Sequence, residues 1–457
     1  MWIERAEKKE AFVKAFLGLD KQVLLMRGAR QVGKTSFILN ALQGLSEYPQ
    51  LKLNLLYPSS FTLDGVHYLG RDFFGASPTG EDFLKNIGLQ FDKKNLEKPL
   101  LVFVDEVDRH PPAMESIQTL AEFSDKYKFV LTGSNLENIA VKNAATGRKK
   151  YFDLYPITFT EFLLAGGFSK LHEYLHNLTF QETTHSDFFH KQLCELVGTY
   201  LRVGGMPRIV DAYLDPEHAS QPIPEIVKDL AVTIEENVKT VLGEKTKLYE
   251  YENVLRKLTH LSMSTLKYTN LQVQHAGRSE AKKLVAKTVG AMVAHRIRLF
   301  ESERDLSKVI LFDCGIVQYL LCGADLLRNA IGERNLAVLY ETFVGTELIA
   351  KMVTRDDLFY WKSGNRAEVE YLLRSPRCAG IDVKSGVGDT KSLNSLAIFE
   401  PDVSCLVKIS NESPRLERDY VALLPNYDKR RTIPLIVIPH YLTCRLFELL
   451  SEVKSLQ

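Results

Sequence analysis

The sequence has no uninterrupted apolar run of about 18 residues, the length a helix needs to cross a hydrocarbon core, so no membrane partner is expected. Its first segment, MWIERAEKKEAF, is charged where a secretory leader would be apolar, and a cytoplasmic location is expected. Charge of one sign is also missing: 58 basic residues face 57 acidic ones for a formal net of +1. Any polyanion would therefore have to be held by a local patch. Paired cysteines are absent too. Cys194, Cys314, Cys322, Cys378, Cys405 and Cys444 are dispersed with no CxxC and no histidine at zinc spacing, which reads as six reduced thiols. No internal repeat or low-complexity tract occurs. What is present is ordinary globular composition, 45% hydrophobic and 25% charged over 457 residues, enough for two to four domains.

The first chemistry-bearing segment is near the start. Gln22 to Met26 is a short apolar run with the length of a buried parallel strand, and it runs into Gly28-Ala29-Arg30-Gln31-Val32-Gly33-Lys34-Thr35. This is the G-x-x-x-x-G-K-[ST] phosphate loop in its required context, because Ser36 to Leu42 then carries apolar residues at helical spacing. The two glycines let the backbone turn and approach an anion, and the helix start offers free N–H groups to phosphate. Lys34 would reach the β- and γ-phosphates, and the Thr35 hydroxyl would ligate Mg²⁺.

About 70 residues later, Pro99 to Val104 forms an unbroken apolar strand ending in Asp105-Glu106. An aspartate at that strand end holds the Mg²⁺ shell, and Glu106 is placed to polarise an attacking water. A third strand, Lys128 to Thr132, follows an amphipathic stretch from Met114 to Phe123 and leads into Gly133-Ser134-Asn135. Thr132, Ser134 or Asn135 would sense the γ-phosphate, or the segment is a simple turn.

At this point the residues resemble a known group. GARQVGKTS, LVFVDEVDR, LTGSN, Gly147-Arg148, Asp153-Leu-Tyr-Pro-Ile-Thr-Phe-Thr-Glu-Phe162 and Gly204-Gly-Met-Pro207 look like the bacterial and archaeal AAA+-type ATPases that carry a C-terminal nuclease-like module. The resemblance covers nearly the whole chain. It implies ATP as the nucleotide, in keeping with the lack of a guanine-specific Asn-Lys-x-Asp run, and a sensor role for Ser134. It also makes Arg148 a candidate for charge stabilisation at the γ-phosphate, in cis or from a neighbouring copy. An ordinary basic loop is the other reading of Arg148, and a homo-oligomer stays open.

The middle of the chain is mostly helical to about Leu242, with Ile226, Leu230, Ile234, Val238 and Val241 at helical spacing, and reads as a lid or connector. Short helices follow, then a helix from Ser279 to about Ala294 and two β-like runs, Arg296–Phe300 and Lys308–Phe312. Helices with a terminal hairpin suggest a winged helix, on which Arg278, Lys282, Lys283 and Lys287 would meet DNA or simply form a solvated face.

In the last part, Tyr340 to Leu348 is helical with Glu341 and Glu347 interspersed, and two strand-like runs carry Glu368-Val-Glu370 and Asp382-Val-Lys384. This is similar to the PD-(D/E)xK nuclease core, in which a helix acid, a strand acid and a D/E-x-K pair hold divalent metal. The resemblance casts Glu341, Glu370, Asp382 and Lys384 as the catalytic set and Glu370 and Asp382 as metal ligands. Both strand acids have their lengths exchanged against the family pattern, a shift of about 1.5 Å in reach. A basic cluster, Lys429-Arg-Arg431, precedes the apolar run from Ile433 and would guide phosphates or form a solvated loop.

The expected organisation is therefore α/β throughout: a P-loop NTPase core with a parallel sheet over 1–165, a helical lid over 166–245, a winged-helix-like domain over 246–325 and a restriction-endonuclease-like domain over 326–457. The expected function is an ATP- and Mg²⁺-dependent ATPase whose nucleotide state controls DNA engagement by the later modules. The alternative is a regulatory or scaffolding ATPase whose nuclease-like domain is inactive and only binds. A small-molecule kinase is disfavoured, since no acceptor lid is evident.

Overall fold

The structure, a computed structural model, describes residues 3–74, 80–91, 98–133, 148–180, 186–242, 248–262, 264–271, 278–303, 305–323, 331–352, 355–364, 367–424 and 427–455. The chain forms two compact units, one of residues 5–155 with 290–292 and one of residues 156–289 and 293–457 with the first four residues.

The first unit is built on strands β1 (Val23–Arg27), β2 (Gln50–Asn54), β5 (Leu100–Asp105), β6 (Tyr127–Leu131) and β7 (Lys149–Asp153), with a small hairpin of β3 (Phe61–Leu63) and β4 (Val66–Tyr68) beside them. The five main strands are parallel in the order β2-β5-β6-β1-β7. Their unbroken apolar sequences suit strands covered on both faces. On one face, the alternating Val23 and Leu25, Val102 and Val104, and Phe129 and Leu131 pack with Phe83, Ile87 and Ile117 from helices Gly80–Gln90 and Pro111–Phe123. On the other, Phe12 of helix Ala6–Leu17 stacks at 5.5 Å on Phe16 and meets Phe37 and Phe152 edge-on. The strand order sets β6 between β1 and β5. The ends of these three strands therefore lie side by side.

The second unit starts with helices. Thr158 caps helix Phe159–Ala165 through a capping box with Glu161, which satisfies two otherwise orphaned donors. Helices Ser169–Asn177, Asp187–Val203, Pro207–Leu214, Ile223–Leu242, Leu248–Leu261 and Arg278–Gly290 follow. The last ends short of the expected Ala294, because Ala294 already opens β8 (Ala294–Leu299), paired with β9 (Ser307–Leu311).

That hairpin, read from the sequence as a wing, lies in a larger sheet. With β10 (Leu358–Ser363), β11 (Ala367–Leu373), β12 (Ala379–Val383), β13 (Cys405–Ser410), β14 (Arg415–Glu417) and β17 (Leu435–Pro439), it forms eight strands ordered β14-β17-β13-β12-β11-β10-β8-β9. The hairpin joins through the parallel pairing of β8 with β10. A separate hairpin, β15 (Val421–Leu424) with β16 (Tyr427–Thr432), carries the basic cluster. Helix Lys391–Phe399 and the core of Trp361, Val369, Leu396 and Leu406 cover part of the sheet. Helix Glu333–Lys351 crosses it at Gly345, where an added Cβ would stand 2.4 Å from the Tyr371 hydroxyl of β11 and 2.5 Å from Ile310 of β9. Strands three positions apart in sheet order thus meet the same helix turn. The expected boundary at 325/326 falls between strands of this one sheet.

Candidate nucleotide site and acidic centre

The loop after β1 has the backbone that its sequence demands. Gly33 sits in the left-handed region at φ 88°, open to glycine without a Cβ penalty. Gly28 is required for a different reason: a Cβ there would stand 2.4 Å from the Leu154 carbonyl oxygen, in the segment after β7. Ala29 and Val32 are buried and anchor the loop, whereas Gln31 and Ser36 are exposed. Helix Lys34–Gln43 follows with no side chain capping its N-terminus, leaving its first N–H groups for an anion.

Lys34 folds back over the loop, its Nζ donating to the carbonyls of Gly28 at 2.9 Å and Ala29 at 3.0 Å. Burial pulls its ammonium down to about 8, against the opposing pull of Asp105 and Glu106. The Thr35 hydroxyl donates to Asp105 Oδ2 at 3.0 Å. On the other carboxylate oxygen, Asp105 accepts from the Thr132 hydroxyl and from the Glu106 N–H at 3.0 Å. The β1-β6-β5 order thus gathers Thr35, Thr132 and Asp105 into one hydrogen-bonded set.

Glu106 has φ 51°, an uncommon conformation for a residue with a side chain and one that clusters at functional sites. Its Oε2 is buried without a hydrogen bond, with Arg109 Nε no nearer than 3.9 Å. Burial first, then Asp108 and Asp105, push its carboxyl above the ordinary range, as suits a group that takes a proton. This oxygen without a hydrogen bond, beside a Thr–Asp pair and a loop closed on its own lysine, fits a bound Mg²⁺–triphosphate, which Thr35 and Asp105 would hold. Arg30 lies close enough to influence both Lys34 and Glu106.

Of the remaining expected members, one falls outside the described residues and one is not brought to this place. Ser134 lies outside the described residues; the polar group seen at the end of β6 is Thr132. Arg148 precedes β7 at the opposite end of the sheet: its carbonyl accepts from Val23 N–H at the start of β1, and its guanidinium pairs with Glu122 at 2.8 Å. Parallel strands separate it from the phosphate loop by the length of β1, about 3.3 Å per residue.

In the second unit the structure gathers the C-terminal acids, with company that the sequence did not reveal. The antiparallel register of β11 and β12 sets Glu370 across from Asp382, and Glu370 Oε2 accepts from Val383 N–H at 3.1 Å. Asp382 is fully buried. Lys384 Nζ stands 2.9 Å from its Oδ2, yet neither carboxylate oxygen makes a hydrogen bond of ordinary geometry. Burial and neighbouring Glu370 hold Asp382 well above the usual carboxylate range; burial and Glu370 do the same to Glu341. Lys308 of β9, which the sequence reading missed, is buried and lies 2.5 Å from Glu368, and Lys362 lies 2.9 Å from the same carboxylate. Its signal was a lysine at the head of an otherwise apolar strand. No group of three or more His, Cys, Asp or Glu among the described residues is placed to hold a metal ion. Glu370 and Asp382, cast by the resemblance as metal ligands, stand opposite each other, with Lys384 on Asp382 and with Lys308 and Lys362 on the neighbouring Glu368.

Of the expected basic clusters, Arg431 is taken up by the C-terminal end of helix Lys391–Phe399, donating to the carbonyls of Ala397 and Glu400; Lys429 and Arg430 are exposed on β16. Lys282 and Lys283 are exposed on helix Arg278–Gly290, Lys282 standing 3.6 Å from Asp305. Arg278 heads that helix, and Lys287 is half-buried. All six cysteines are free, and no described helix is long and apolar enough to cross a membrane.

Residues 20–163 match the family model for an AAA domain. No curated protein matches the chain. Among solved structures, the Pif1 helicase from Candida albicans is similar at 13% identity and TM-score 0.26, covering 42% of this chain; the match spans about half, 48%, of that protein. The Aeropyrum pernix ORC1 protein in complex with DNA is similar at 12% identity and TM-score 0.29, over 71% of this chain and 93% of that one. PCH-2 of C. elegans is similar at 15% identity and TM-score 0.28, over 51% and 65%. Superpositions this loose carry no argument about the present chain. The domain match and the phosphate loop at the end of a parallel strand agree, and the first unit is a P-loop domain of AAA type.

Proposed function

We propose that the first unit hydrolyses ATP and that its nucleotide state controls how the second unit engages DNA. The observation that carries the hydrolase reading is the Thr35–Asp105–Thr132 set with a buried Glu106 oxygen beside it that makes no hydrogen bond. Bound Mg²⁺, held by Thr35 and Asp105, would supply charge neutralisation at the β- and γ-phosphates. Lys34 exchanges the Gly28 and Ala29 carbonyls for phosphate oxygens. The Gly28 to Ser36 backbone and the following helix start cradle the anion. Glu106 orients the attacking water and accepts its proton. Arg148, at the far end of the sheet, is left to act on the γ-phosphate of a neighbouring copy.

Phosphate release from MgATP tests this. Lys34→Ala is expected to abolish binding, and Glu106→Gln to keep binding while lowering turnover by about 10²–10⁴; turnover unchanged in both would end the hydrolase reading. Mixing Lys34→Ala with Arg148→Ala is expected to restore part of the activity, each copy supplying what the other lacks.

Exposed Lys282 and Lys283 support DNA as the second unit's partner. Duplex binding should weaken with salt, and Lys282→Glu with Lys283→Glu should flatten that dependence by about one unit of slope per lost phosphate contact. The enclosed acids support the second reading, in which the nuclease-like sheet binds without cutting. Incubation of plasmid DNA with Mg²⁺ or Mn²⁺, beside a Lys384→Ala control, decides between them: cleavage by the unaltered protein alone would establish a nuclease.

A further inference from the structure

Four carboxyl groups lie within electrostatic reach of one another in the second unit: Glu341 from helix Glu333–Lys351, Glu368 and Glu370 from β11, and Asp382 from β12, opposite Glu370. Like charges this close do not all ionise unless cations stand among them. In a metal-dependent nuclease that cation is a divalent ion. Here three ammonium groups are already in place. Lys384 is 2.9 Å from Asp382, and Lys362 is 2.9 Å from Glu368. Lys308 is the innermost: it is only 4% exposed, 2.5 Å from Glu368 and 5.3 Å from the face of the Tyr360 ring.

We infer that the Lys308 ammonium is the resident cation of this acidic centre and occupies the role that a divalent metal ion takes in the nuclease fold, so that the centre binds metal only when Lys308 is removed. The inference rests on the nuclease-like reading for what the acids would otherwise hold. Two further observations bear on it. Lys308 comes from β9, at the edge of the sheet, and reaches Glu368 of β11 across the two strands between them. Glu341, Glu368 and Glu370 together hold its ammonium above the ordinary lysine value even though burial opposes this. A buried ammonium with several carboxylates as neighbours is fixed in place, since exchanging it for solvent would leave those charges uncompensated.

The test is Mn²⁺ binding to the full chain without nucleotide, followed by electron paramagnetic resonance, in the unaltered protein and in Glu370→Gln, Lys308→Ala, Lys308→Ala/Glu370→Gln and Lys308→Arg. Expected is no Mn²⁺ sensitive to Glu370→Gln in the unaltered protein or in Lys308→Arg, and one additional bound ion in Lys308→Ala that the double variant loses. Glu370-dependent Mn²⁺ in the unaltered protein would overturn the inference and leave the nuclease reading standing. A folded Lys308→Ala that gains no ion would overturn both. Thermal unfolding establishes whether Lys308→Ala folds; if it does not, the unaltered protein and Lys308→Arg decide, Glu370-dependent Mn²⁺ in either counting against the inference and its absence from both for it.

Discussion

The Thr35 hydroxyl and the Asp105 carboxylate, 70 residues apart in sequence, are joined by a 3.0 Å hydrogen bond. That bond ties the start of one helix to the end of a strand two positions away in the sheet. Thr132, from the strand between them, donates to the same carboxylate. Partners that orient a metal ligand in this way are worth about 10–100-fold in metal affinity or activity. Thr132→Val is therefore expected to raise the Mg²⁺ concentration needed for half-maximal phosphate release by about that factor, with nucleotide binding largely kept. A Mg²⁺ titration at saturating ATP reads it directly.

Burial of Lys34 gives the proposed nucleotide site a pH dependence whose sign can be worked out. In the free protein its ammonium titrates at about 8, and phosphate beside it would raise that value. Tight binding is then present below pH 8 and declines above it, approaching tenfold per unit, as a proton must be taken up on binding. Fluorescent-nucleotide affinities from pH 7 to 9.5 check this; a flat profile would show that Lys34 is already charged throughout.

Two glycines in neighbouring segments should respond oppositely to alanine. Gly204 has φ 74°, and a Cβ would stand 2.5 Å from Asp313 Oδ1 and 2.6 Å from Gly315 N. Gly204→Ala is expected to cost on the order of 3 kcal/mol or more, from left-handed strain and the clash together. Gly198, inside helix Asp187–Val203, has nothing within 4 Å of its would-be Cβ. Gly198→Ala should stabilise by about 0.5–1 kcal/mol. Melting temperatures of the pair provide the comparison.

Glu347 is buried, accepts from Phe159 N–H at 2.9 Å on one oxygen and makes no hydrogen bond with the other. Burial raises its carboxyl from 4.5 to about 7. A raised acid favours the folded state when protonated: that contribution is full below pH 4.5 and is lost as pH climbs through 7. Glu347→Gln keeps the acceptor and removes the charge. Its stabilisation is expected to be on the order of 3 kcal/mol at most near pH 8 and negligible near pH 5, read from thermal unfolding at the two pH values.

The parts of this fold that are legible in the sequence are those whose signal is local. The strand at Val23–Arg27, the glycines at 28 and 33 and the helix after them stand within a couple of residues of their expected bounds, because the turn, the lysine and the helical period all fall within a few consecutive positions. Asp105 was legible for the same reason, as an acid ending an apolar run. What sequence could not supply was lateral order. A hairpin from Ala294 to Leu311 reads alike whether it is a free wing or a sheet edge; only the pairing of Phe359 with Arg298 distinguishes the two. Arg148 was adjacent to the motifs in sequence yet at the wrong end of a parallel strand in space. Lys308 was invisible as a partner of Glu368 because the contact depends on the order of the strands, which no local pattern encodes.

That hairpin also bears on what can be exchanged between proteins or lost by truncation. A chain beginning at 326 would keep every acid of the nuclease-like pattern, but it would lose β8 and β9, expose the edge of β10 and leave Glu368 without Lys308. An unpaired strand edge invites pairing with other chains. The smallest inheritable piece on the C-terminal side thus includes the hairpin, and the acids together with the lysine that lies among them would be expected to change as one.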